Sequence, residues 1–264
     1  MTNNYLSRGE APIAAATWDK LDQIIIEAAK SVLSGRRILN IDGPYGLGLK
    51  AVPMNDPEMG ENPVTGTVLP LALISKSFTM AKRDIAAHES NGVMLNTSAA
   101  AAAAIACAKQ EEELIYNGLK DTPGLMNAKG SHQLKLGSWS EVGTAADDII
   151  KAVTALDTAG FHGPYTLALA PERYNLLLRR YPTGSFSELE HVKTIAAEGV
   201  VKAPVLEGGG LLLAAGRQYA TLVLGQDLAA GYNGPAAERL EFYVSESLIP
   251  YIRQPKAICV LKES

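Results

Sequence analysis

The sequence predicts an α+β chain, and three observations carry that prediction. Helix-like and strand-like segments are mixed along the chain without the regular βαβ rhythm of a parallel sheet. Thr97 to Asn117 is the strongest helical segment, alanine in its first half and "KQEEELIY" in its second. Between two apolar, extended runs lies "MNDPEMGENPVTGTV", Met54 to Val68, rich in Pro, Gly and Asn. Such a pair of runs around a turn-rich tip predicts a long hairpin arm.

Taken in order, Thr17 to Ser34 reads as a first helix, with Thr17 as its N-cap, Asp19 in its first turn and Gly35 as its stop. The glycine-rich stretch "GRRILNIDGPYGLGLKAVP" follows and leads into the arm. "LPLALISKSFTM" resumes a strand pattern after it. The Thr97–Asn117 helix would be a rod of about 31 Å at 1.5 Å per residue, stopped by Gly118. Thr144 to Asp157 is amphipathic, capped by Thr144 and ended by Gly160. "GPYTLALAP" is a buried strand, and Pro171 opens the short helix "PERYNLLLRRY". The loop "PTGSFS" leads to the helix "ELEHVKTIAAEG". Five glycine-punctuated strands close the chain: "VVKAPVL", "GLLLAAG", "TLVLGQDLAAGY", "RLEFYVSESLIPYI" and "KAICVL".

A chain of 264 residues that is 47% apolar can bury a full core as one large domain or two small ones. The net charge of −4 argues against nucleic acid or an anionic membrane surface as partner, and it is small enough to permit association. Cys107 and Cys259 lie in no CxxC and near no histidine pair, so buried reduced thiols are expected rather than a disulfide or a zinc site. The N-terminus lacks a basic start followed by an apolar core, and "TSAAAAAAIACA" is too short to span a bilayer. The expected location is the cytoplasm.

The glycines after the first helix raise the question of a phosphate site. A phosphate loop needs GxxxxGK[ST], but here Gly43 is followed five residues on by Gly48 and then Leu49. A dinucleotide fingerprint opens a helix, whereas this stretch returns to the β-rich "LKAVP". Turn chemistry is the better reading. In "KQEEELIY" no histidine lies within a turn of Glu111, Glu112 or Glu113, so a di-iron site is disfavoured and a solvated or subunit-contact face is expected. The four histidines are scattered, and no serine sits in GxSxG. No catalytic residue and no metal site is assigned, which favours a structural or binding role.

The GRR and GPYG residues, Gly35–Arg37 and Gly43–Gly46, resemble the opening motif of the encapsulin shell proteins. "GLKDTPGLMN", "GPYTLALAPERYNLLL" and the block from Val200 to Tyr232, with "LGQDLAAGY", are similar to later motifs of that family in the same order. The resemblance covers residues 5–262. It implies the HK97-type fold of tailed-phage capsid proteins. On that fold, 1–49 holds the N-terminal helix and entry strand, 50–73 the E-loop arm, and 74–142 the P-domain with its spine helix. Residues 143–224 form the A-domain, and 225–264 return to the P-domain.

It further implies an icosahedral shell of many copies that encloses a cargo enzyme, a dye-decolourising peroxidase or a ferritin-like iron oxidase, bound through the cargo's C-terminal peptide. The apolar groove for that peptide would use Ile25, Ala28, Ala29 and Leu33 of the first helix. Leu39 and Ile41 would add one face of the next strand, and Leu228, Ala230 and Tyr232 would join by the same alternation. The five-fold pore loop would be Arg179, Arg180, Tyr181, Pro182, Thr183, Gly184, Ser185 and Phe186. No cofactor is expected: where some members stack a flavin on a tryptophan, this chain has Lys82 and Arg83, and a flavin held by a weak arginine stack is the alternative. The same fold also serves phage capsid subunits, the second reading. A secreted bacteriocin is a third and weaker one.

Overall fold

A computed structural model of the chain describes residues 4–55, 65–182 and 184–263. The helices are α1 (Ala15–Lys30), α2 (Lys82–Asn91), α3 (Ser98–Asn117), α4 (Thr144–Thr158), α5 (Pro171–Leu176) and α6 (Glu188–Ile195). The strands are β1 (Asn40–Asp42), β2 (Ala51–Pro53), β3 (Val68–Pro70), β4 (Ala72–Ala81), β5 (Gly118–Leu119), β6 (Thr122–Pro123) and β7 (His132–Lys135). They continue as β8 (Tyr165–Leu169), β9 (Gly199–Lys202), β10 (Gly210–Ala214), β11 (Ala220–Leu224), β12 (Ala229–Ala236), β13 (Arg239–Ile252) and β14 (Ile258–Lys262). The chain forms two compact units: Met1–Val32, Gly43–Glu111 and Leu224–Ile249 make the first, and Leu33–Asp42, Glu112–Val223 and Pro250–Ser264 the second.

In the first unit β13 pairs antiparallel with β12 on one side and β4 on the other. Period-two alternation sets the inward face of β4: Ile74, Phe78 and Met80 are buried while Leu73, Ser75 and Ser77 are exposed. Phe242 of β13 is the hub. Its ring lies 5.4 Å from Phe78, 5.5 Å from Tyr232 and 5.6 Å from Trp18, the last edge-on. Helix α1 supplies the buried stripe Trp18, Leu21, Ile25 and Ala29, at spacings of three, four and four that keep one helical face inward. Arg8 covers the Trp18 ring at 4.6 Å and pairs with both carboxylate oxygens of Asp22 at 2.7 and 2.5 Å.

The second unit holds a five-stranded mixed sheet in the order β7, β14, β10, β8, β9. Every residue of β8 and β10 is buried, as continuous apolar strands with both faces covered should be. Helices α4 and α6 pack together, and α4 lies on β10 and β14. Trp139 is fully buried beneath them although its φ is +56°. Its indole donates to Asp148 at 2.9 Å, and Arg173 stacks on the ring at 5.1 Å.

The turn at GPYG has the character expected of it. Gly43 and Gly46 have φ of +118° and +97°, and a Cβ on Gly43 would strike the Leu224 carbonyl oxygen. The Tyr45 and Gly46 amides then donate to the Leu224 and Gly225 carbonyls at 3.0 and 2.6 Å.

Several sequence expectations are corrected. Helix α1 starts at Ala15 and ends at Lys30, so Thr17 is not its N-cap; the Thr17 hydroxyl donates to Glu89 instead. Thr144 does not cap α4, because the buried Glu188 carboxylate accepts from Gly143, Ala145 and Ala146 at that helix end. Glu111 and Glu112 are buried, not solvated. Glu112 accepts from the Ser34 hydroxyl and, at 2.8 Å, from the Gly35 amide, which fastens the GRR turn to α3. A Cβ on Gly35 would meet Ile115 at 2.6 Å, so the motif's first glycine is a packing requirement. "TLVLGQDLAAGY" is two strands, since Gly225 and Gln226 turn to bond Ser247. β13 runs beside β4, while the apolar "ICVL" of β14 is buried between β10 and β7. The hairpin of β5 and β6 and the strand β7 had no clear sequence signal.

Candidate assembly and cargo surfaces

The arm is present as a two-stranded antiparallel stem, with Ala51, Val52 and Pro53 opposite Pro70, Leu69 and Val68. Its tip, 56–64, lies outside the described residues. Three residue pairs cannot bury an apolar face of their own. Val68 is 61% exposed and Leu73, at the base, 65%.

The loop 179–186 is pinned at both ends. The Glu188 amide donates to the Arg179 carbonyl at 2.9 Å, and the Tyr181 amide to the Phe186 carbonyl at 3.3 Å. Arg179 turns inward: it donates to the Trp139, Ser140 and Leu176 carbonyls and lies 3.7 Å from the Glu188 carboxylate. These bonds anchor the start of the loop. The Tyr181 hydroxyl meets His191 Nδ1 at 2.8 Å, and its ring lies 5.2 Å from Phe186. Burial, with the nearby charges of Glu188 and Asp147, holds the Tyr181 phenol above its ordinary range. Arg180, Pro182, Gly184, Ser185 and Phe186 are exposed, and Thr183 lies outside the described residues. The Ser187–Glu190 capping box that starts α6 is an S-x-x-E signature, which the sequence could have revealed.

The residues assigned to a cargo groove divide by burial. Ile25, Ala29, Leu39, Ala230 and Tyr232 are buried. Ala28, Leu33 and Leu228 are half-buried, and Ile41 is 37% exposed. The helical stripe stops at Ala29, because α1 ends before Leu33. Leu39 precedes β1, so it does not share an accessible strand face with Ile41, which pairs in parallel register with Leu222. Ala230 and Tyr232 do share a face of β12, and α1 packs against that strand.

Both cysteines are packed. Burial pushes the Cys107 thiol up to about 12, with Glu246 adding to it, and the thiol donates to the Val244 carbonyl at 3.4 Å. Burial raises Cys259 to about 11. Among the described residues no helix is long and apolar enough to cross a membrane.

The family described as an encapsulating protein for peroxidase matches residues 3–249. The type 1 encapsulin shell protein EncA of Myxococcus xanthus is 33% identical, over 98% of this chain and 96% of that one. Among solved structures, the virus-like particle from Pyrococcus furiosus superposes with a TM-score of 0.76 at 24% identity, covering 93% of this chain and 99% of that chain. The capsid of the myovirus phage XM1 gives 0.63 at 14% identity, over 86% and 90% of the two chains, which extends the likeness to HK97-type phage capsids at the level of fold. This chain belongs to the encapsulin family of shell proteins.

Proposed function

We propose that this chain is the subunit of a closed, self-assembling shell in the cytoplasm that encloses a cargo enzyme and performs no chemistry itself. The observation that carries the reading is the arm. Its short stem exposes Val68, Leu73 at the start of β4 is exposed as well, and a second copy of the chain supplies a surface to cover them. Replicated about symmetry axes, the pinned loop 179–186 would rim a pore for small molecules or ions, with Arg180 its exposed charge. The family description names a peroxidase, which supports a dye-decolourising peroxidase as cargo, with a ferritin-like iron oxidase as the alternative. We assign no cofactor to the shell; a yellow purified particle with flavin absorbance would contradict that.

Within the second unit, cargo recognition through its C-terminal peptide is assigned to the accessible Ile41 and the half-buried Leu33. Ile41→Asp should lower cargo loading in assembled shells, because a charge set among apolar contacts is desolvated without a partner. Normal loading would reject Ile41 as a contact. Ala29→Asp is a poor probe: at 2% exposure its charge would enter the core and disturb folding.

The likeness to a phage capsid supports a second reading, a prophage subunit that packs DNA. The ratio of absorbance at 260 and 280 nm of purified particles separates the two: a protein-like ratio supports the enzyme container, and a nucleic-acid ratio the capsid.

A further inference from the structure

The start of α1 has no side-chain cap of its own, since Ala14 stands at the N-cap position. Two consecutive residues of α2, in the same compact unit, grip it instead. Glu89 Oε1 accepts the Ala14 amide at 2.8 Å and the Thr17 hydroxyl at 2.6 Å. His88 reaches one turn further along: its Nε2 lies 2.9 Å from Lys20 Nζ, and its Nδ1 lies 2.6 Å from the Val93 carbonyl oxygen. A carbonyl oxygen only accepts. Nδ1 therefore carries the imidazole proton, Nε2 presents its lone pair, and the Lys20 ammonium donates to it.

This geometry admits only a neutral imidazole. A protonated ring carries N–H on both nitrogens, and its Nε2–H would face an ammonium that has nothing to accept with. Protonation of His88 and the Lys20 contact exclude one another, whereas the Nδ1–H bond to Val93 survives protonation. We propose that His88 is an acid-released clasp, fastening α1 to α2 while its imidazole is neutral and letting go of Lys20 once both ring nitrogens carry protons.

The charges around His88 are of both signs. On α1 the cation facing His88 is Lys20. On α2 the acids are Asp84, one turn back, and Glu89, the next residue; the connection Gly92–Thr97 carries no charged residue. The Thr17 hydroxyl and the Ala14 amide hold the Glu89 carboxyl below its usual range, with a smaller contribution from His88.

Hydrogen exchange of the assembled protein at pH 7.5 and 5.5, each rate divided by its intrinsic value, tests the clasp. Amides of 14–21 should lose protection roughly two- to fivefold at pH 5.5, the scale of an exposed charge-assisted contact. Those of 92–97 should not change in the wild type. Lys20→Met and His88→Leu should exchange at the acid level in 14–21 at both pH values. Unchanged protection of α1 in the wild type would overturn the proposal. So would a pH response that persists in both variants, or variants as protected as the wild type at pH 7.5.

Discussion

Asp148 illustrates how one side chain organises a neighbourhood. It accepts from the Gly137 amide at 2.8 Å, the Trp139 indole at 2.9 Å and the Lys151 ammonium at 2.8 Å. Burial alone would raise its carboxyl, but the bonds from Lys151, Gly137 and Trp139 outweigh burial and leave it below its ordinary 3.8. A carboxyl depressed in the folded state contributes stability above its unfolded value, and that contribution is lost as the pH falls through the folded one. Asp148→Asn should therefore cost about 1–3 kcal/mol at pH 7. The difference from wild type should shrink as the pH falls below the ordinary 3.8, as thermal unfolding across pH would record. The cysteines give a second check. With thiols raised to about 12 and about 11, neither Cys107 nor Cys259 should react with maleimide at pH 8 in the native protein, and both should react in guanidinium. The buried thiols were expected from the sequence, but the carboxylate roles could not be read from it. Asp148, Glu188 and Glu112 are buried by contacts with residues 9 to 78 positions away, and a charged letter in a helix reads as solvated until its partner is in view.

The elements were more legible than the residues. α3 was placed to within one residue because alanine propensity and the Gly118 stop both act locally. β8 was evident from an uninterrupted apolar run. The start of α1 was misplaced because its cap comes from Glu89, distant in sequence. β7 went unseen because "HQLK" is made a strand only by its parallel partner β14. Of the assigned groove, periodicity correctly put Ile25 and Ala29 on one helical face, but periodicity alone cannot distinguish a face that meets a ligand from one that meets β12. At this scale the arm carries a direct prediction. Deleting Asp56–Thr65, nearly all of which lies outside the described residues, should leave both units folded by circular dichroism and reduce the product to small oligomers. Intact particles after that deletion would remove the arm from the assembly.

For the whole molecule, the order of motifs was the readable part. The GRR turn, the GPYG turn, the spine helix and the "LGQDLAAGY" block fall along one chain in the order of the encapsulin family, and the match over residues 3–249 agrees. The division into units was less readable, because the C-terminal 40 residues split between two sheets. On this reading the chain by itself builds a closed container. Negative-stain electron microscopy with native mass measurement of the purified, cargo-free chain tests it most directly. Hollow particles of uniform diameter and megadalton mass are the predicted result, and a discrete species at 28.0 kDa under the same conditions would contradict it.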